Sequence, residues 1–171
     1  FHSAEMICSL QYLHGLGIIH RSVGIKPLNV LLDHQGHIKI CDFCLAKQSI
    51  FDDDATTGRA GTLTFMAPEI LHRKAYNTAV DWWSFGITIC EMATCQSPFN
   101  KTDIEMLIDA IKFHEPEIPD WLDEELKHLL GKLLQKDWKQ RLCVRGDIRS
   151  HPFYKHINWV ALEEGEWQPP F

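Results

Sequence analysis

The stretch Ile18-Ile19-His20-Arg21-Ser22-Val23-Gly24-Ile25-Lys26-Pro27-Leu28-Asn29-Val30-Leu31-Leu32, continued through Asp33-His34-Gln35-Gly36 to His37-Ile38-Lys39-Ile40-Cys41-Asp42-Phe43-Cys44, decides the fold. Val30 to Leu32 and His37 to Cys41 are short β-prone runs with four turn residues between them. Apolar runs on either side of such a turn predict a hairpin. The hairpin would hold Asn29 at one end and Asp42 at the other. The same stretch offers His34-x-x-His37 and Cys41-x-x-Cys44, residue types and spacings of a zinc site. Strand alternation sends His37 and Cys41 to one face but does nothing to gather all four. They are better read as two histidines flanking the turn, Cys41 at the end of a strand and Cys44 in the loop that follows.

Upstream of this stretch, Ala4, Ile7, Leu10 and Leu13, with Met6, recur at helical spacing, so Phe1 to Leu16 is expected to be a helix with one buried face. Gly15 and Gly17 supply its stop. Downstream, Asp42 to Glu69 shows no clear period and is expected to be a long loop. It contains Asp52-Asp53-Asp54, read as a solvated loop tip. Thr78 to Thr94 carries no charge between Asp81 and Glu91 and is apolar all round, the pattern of a helix buried on every side. Thr102-x-x-Glu105 has the form of a capping box opening a helix with Ile104, Leu107, Ile108 and Ile111 on one face. Pro116 and Pro119 break it. Leu126, Leu129, Leu130, Leu133 and Leu134 predict a further amphipathic helix with Asp123 as its cap.

The 171 residues, 45% hydrophobic, suffice for one domain with one core. A net charge of -6 argues against non-specific nucleic-acid binding. No apolar run approaches the ~18 residues of a membrane span. No signal peptide is visible, so the six cysteines are expected to be reduced and buried, and the chain cytoplasmic. It starts with Phe1, in what reads as the middle of a helix, and is expected to be a piece of a longer protein or the product of a truncated gene.

The quoted stretch resembles the catalytic and magnesium-binding loops of the protein kinases, His-Arg-Asp-Leu-Lys-Pro-x-Asn followed by Asp-Phe-Gly. Ala67-Pro68-Glu69 resembles the end of that family's activation segment. Asp81-Trp82-Trp83-Ser84-Phe85-Gly86, Gln96-Ser97-Pro98-Phe99, His151-Pro152-Phe153-Tyr154 and Pro169-Pro170-Phe171 resemble protein kinase C catalytic domains, towards the novel (delta/theta-like) branch. The resemblance covers essentially the whole chain. It implies a mainly α fold, the large lobe of a kinase: a helical bundle around a buried central helix with a small β-hairpin. Residues 1–153 would form this lobe, and 154–171 would begin the C-terminal tail of the AGC kinases.

The resemblance also assigns roles. Asn29 and Asp42 would hold Mg²⁺ on ATP, with Lys26 beside them as a catalytic and nucleotide-contacting residue. His20 and Arg21 belong to the catalytic loop, and Asp81 would hold that loop's backbone. Arg141 would pair with Glu69. Thr57 neighbours the usual phosphosite position, which falls on Gly58, and a phosphate there would face Arg21. The alternative is that Thr56, Thr57, Thr62 and Thr64 are simply loop threonines.

The sequence departs from the family pattern in ways that bear on activity. The catalytic loop is two residues too long, and the aspartate position is Gly24 counted from Asn29 or Ser22 counted from His20. Loss of such a base typically costs ~10²–10⁴ in rate. Cys44 replaces the glycine of Asp-Phe-Gly, where a Cβ is expected to disfavour the backbone angles that aim Asp42. Nothing matches the small lobe's glycine-rich loop, strand lysine and helix glutamate. Three readings follow. The chain is a partial serine/threonine kinase of the protein kinase C type that is inactive by itself, with weak or absent ATP and Mg²⁺ binding. Alternatively, it is a pseudokinase scaffold that binds a protein partner, or a decayed gene product.

Overall fold

The computed structural model describes residues 1–21, 26–48, 56–58 and 62–170. Helix α1 spans His2–Gly15 and buries Ala4, Met6, Ile7 and Leu10. It stops where Gly17 takes a left-handed conformation (φ 68°) and the amides of Gly17 and Ile18 turn back to the carbonyls of His14 and Leu13. Strands β1 (Val30–Leu32) and β2 (Ile38–Ile40) pair antiparallel, Val30 opposite Ile40 and Leu32 opposite Ile38. The Asp33 carboxylate closes their turn by accepting from the amides of Gln35 and His37 at 2.9 and 3.0 Å. Gly36 sits at φ 85° in the same turn.

Glu5 of α1 straps this hairpin to the helix. One of its oxygens is 2.6 Å from His37 Nδ1, and the other accepts from the Ile38 amide at 3.1 Å. Among the described residues the remaining α-helices are α2 (Pro68–Leu71), α3 (Ala79–Thr94), α4 (Ile104–Phe113), α5 (Glu124–Leu133) and α6 (Trp159–Glu163). The described residues form a mostly helical fold with one two-stranded sheet, as expected from the sequence. No described helix is long and apolar enough to cross a membrane.

Every residue of α3 from Ala79 to Cys90 is buried. Two apolar clusters account for this. Trp82, Phe85 and Ile89 pack with Ile7 and Leu10 of α1 and Leu126, Leu129 and Leu133 of α5. Val80, Trp83 and Ile87 pack instead with Phe65, Met66 and Ile70 around α2, and with Leu107 and Ile111 of α4. Helix α3 is the post between the two.

Gly86 lets α5 approach that post. A Cβ there would meet Leu134 Cδ2 at 2.9 Å and Leu133 Cβ at 3.0 Å. Gly86→Val is therefore expected to destabilise the chain by about 2 kcal/mol through overpacking, read as a lower denaturant midpoint.

Two sequence expectations need correction. Helix α4 is capped by Asp103, which accepts from the Met106 amide at 3.0 Å, not by Thr102. The Asp103 carboxylate, one residue on, meets the orphan donors at the helix start. Asp123 caps α5 as expected. The cysteines are free, but only Cys90 is buried; Cys44 and Cys95 are exposed, and Cys8, Cys41 and Cys143 are half-buried. Large apolar side chains around the hairpin also stand in solvent: Leu28 (81% exposed), Leu31, Leu32 and Phe43.

Candidate nucleotide and metal site

The chain leaves α1 and pairs Ile19 with Lys47 in an isolated antiparallel bridge. This lays His20 and Arg21 across the start of α3. Asp81, fully buried, receives them: Oδ2 accepts from the His20 amide at 3.0 Å and Oδ1 from the Arg21 amide at 2.9 Å. His14, in the last turn of α1, places Nε2 2.8 Å from Oδ2 of the same carboxylate. Sequence reasoning did not single out His14. Its signal was there, a histidine in a helix's last turn just before the loop that Asp81 holds.

His20 is fully buried and ties this loop to the end of the hairpin. Its Nε2 donates to the Cys41 carbonyl at 3.1 Å, and its ring meets Phe43 edge-on at 4.6 Å. On the other side, the Asn29 carbonyl accepts from the Cys41 amide at 2.9 Å. Buried Asn29 therefore stands opposite Cys41, one residue from Asp42. Asp42 is exposed and adopts φ 63°. The expected strain at Cys44 is absent, because the left-handed conformation falls on Asp42, a residue type that tolerates it. Lys26 donates to Thr62 Oγ1 at 3.2 Å.

Ser22 and Gly24 lie outside the described residues, as does Asp52-Asp53-Asp54. Arg21 (φ 68°) reaches the Leu45 carbonyl through Nε and the Tyr76 hydroxyl through Nη1 at 3.4 Å. Tyr76 pairs with Thr56 backbone to backbone, which leaves the adjacent Thr57 exposed. Further off, Arg141 forms a bidentate pair with Glu69 at 2.8 and 3.1 Å. The four residues of the zinc pattern do not gather: His37 is held by Glu5, and among the described residues no three metal-ligating side chains converge.

The backbone bond between Asn29 and Cys41 brings two residues with oxygen-donor side chains, Asn29 and Asp42, to neighbouring positions in the chain trace at the open end of a hairpin. That donor chemistry fits Mg²⁺, which takes one or two protein oxygens and leaves its other positions to phosphate and water. A family model for the protein kinase domain matches residues 1–154. The chain belongs to the protein kinase family. As a protein kinase domain it is 46% identical over 171 residues to the protein kinase C delta type of Rattus norvegicus and 45% identical to that of Homo sapiens. It is 39% identical over 173 residues to the serine/threonine-protein kinase YPK1 of Saccharomyces cerevisiae. Each match covers all of this chain and 25% of the relative, so the chain spans about a quarter of their length.

Proposed function

We propose that the chain is the large lobe of a serine/threonine kinase of the protein kinase C type, and that by itself it does not transfer phosphate. The observation behind this is the contrast between an intact cradle and an altered loop. Asp81 grips the His20 and Arg21 amides, and the Asn29 carbonyl accepts from the amide of Cys41, the neighbour of Asp42, which supports this reading. The sequence nonetheless offers only serine or glycine where the general base belongs.

In the family, bound Mg-ATP supplies the γ-phosphoryl group for a protein hydroxyl. Here Asn29 and Asp42 would hold the metal and Lys26 would face the phosphates. Gly24 has no group to take the hydroxyl proton, and the Ser22 hydroxyl is a poor base near neutral pH. We read 1–153 as the lobe, 154–171 as the beginning of a tail, the location as cytoplasmic, and Leu28, Leu31, Leu32 and Phe43 as a face another lobe covers.

The test is the melting temperature of the purified chain with and without millimolar Mg-ATP, beside Asp42→Asn. Ligand at 100 times its Kd adds about 2.7 kcal/mol, a rise of several degrees. A smaller rise, as weak binding gives, that Asp42→Asn abolishes, without phosphate transfer to a serine peptide, is the expected result. Phosphate transfer would remove the inactive reading. No shift in a folded sample would remove the half-site and leave the second reading, a partner-binding scaffold, which the preserved Glu69–Arg141 pair favours.

A further inference from the structure

Far from this site, two histidines meet. His128 on α5 and His151, just before the turn Pro152–Tyr154, stack with ring centroids 5.0 Å apart, and His128 Nδ1 lies 2.8 Å from His151 Nε2. His151 is 7% exposed, and its other nitrogen, Nδ1, accepts from the Phe153 amide at 3.2 Å.

Hydrogen-bond bookkeeping fixes the protons. A nitrogen that accepts carries none, so His151 must hold its proton on Nε2 and give it to His128 Nδ1, which is therefore bare. The run Phe153 N–H, His151, His128 is satisfied only while both rings are neutral. One further proton on either Nδ1 sets two N–H groups head to head and removes one of the two bonds.

We propose that the His128–His151 pair is a proton-operated latch that fastens the 151–157 turn to α5 near neutral pH and releases it on acidification. The surroundings allow a proton in. Both rings border an open cavity of about 590 Å³ that is also lined by Lys132, Arg145, Asp147, Gln135 and Gln140. The charges facing the pair come from each neighbouring element. On α5, Glu125 favours the protonated form, but Lys155 already holds it at 2.6 Å; Lys132 opposes protonation. Across the cavity, Arg145 is bound to the Gln140 side chain, and Asp147 is occupied in capping the turn Ile148–Ser150 through the Arg149 amide. Burial, and then the charge of His128, hold His151 below the usual histidine range.

The sign follows from linkage. With His151 depressed in the folded state, the unfolded chain binds the proton first. The contribution of His151 to stability is therefore fully present above about pH 6.5 and is lost as pH falls from there towards its lower folded value.

Opening is confined to the turn. Arg149 separately holds α6 to α1, binding Gln11 at 2.7 Å and Glu163 at 2.5 Å and stacking on Trp159 at 5.0 Å.

Nitrogen-15 spectra of the imidazoles and backbone hydrogen exchange, between pH 7.5 and 5, test the latch on the intact chain. The expected spectrum at pH 7.5 shows His151 protonated on Nε2. On acidification, exchange at the Phe153 and Tyr154 amides should speed up at least tenfold beyond its intrinsic pH dependence, with Leu162 in α6 unaffected. His128→Asn keeps an acceptor oxygen that cannot be protonated, so opening should then follow the titration of His151 alone and its amplitude should fall. An Nδ1–H tautomer at neutral pH, or unchanged Phe153 exchange while His151 titrates, would overturn the proposal.

Discussion

Arg141→Ala is expected to cost about 3–5 kcal/mol, the usual loss when one partner of a buried ion pair is removed. The size follows from what Arg141 leaves behind. Its guanidinium is fully buried and donates to both oxygens of Glu69, to the Ala79 carbonyl at 2.7 Å and to the Gln135 carbonyl at 3.1 Å, while lying 5.2 Å from the Trp83 ring. The alanine variant strands a carboxylate that is 5% exposed, together with two carbonyls. Glu69→Gln removes the charge but keeps an acceptor, and should cost less. The double variant Glu69→Gln/Arg141→Met, which removes both charges, is expected to lie closer to wild type than Arg141→Ala does. Urea midpoints of the four chains measure this. An Arg141→Ala loss below ~1 kcal/mol would show that water reaches the pair.

Asp81→Ala should be nearly as damaging, by about 4 kcal/mol, because it leaves the His20 and Arg21 amides without acceptors at roughly 1–3 kcal/mol each. It also deprives His14 of its 2.8 Å partner. The damage should be local in its geometry: the loop between α1 and β1 loses its hold on α3, and any Mg-ATP stabilisation should vanish even where the chain still folds. Asp81→Asn separates these effects, since its single carbonyl can satisfy only one of the two amides. A melting curve for Asp81→Ala that matches wild type would contradict the anchoring role.

The helices were legible because burial is periodic. The apolar stripe of α1 and the uncharged stretch from Trp82 to Cys90 could hardly be anything else, and the hairpin was marked by its turn residues. What escaped was chemistry between residues distant in sequence. Glu5 reaches His37, and Arg21 reaches Tyr76, across 32 and 55 positions, and no period announces such pairs. The cap of α4 fell one residue from the expected place because Thr102 and Asp103 are both good caps, and only the entry angle of the chain chooses between them. The cysteines were misjudged for a similar reason: thiols pack as small apolar groups, so their type does not say which of them lie at loop ends, as Cys44 and Cys95 do.

The two-sided burial of α3 carries a consequence for how the chain comes apart. Each apolar cluster uses one face of this helix, so neither can be assembled while the other is lost. Neither half is expected to be stable by itself, and the amides of the buried stretch Ala79–Cys90 are expected to exchange with solvent chiefly through global opening, whereas the hairpin and the 151–157 turn are expected to fray separately. A mutation in either cluster is thus felt in the other, and a lesion beside α2 loosens the ground under α1.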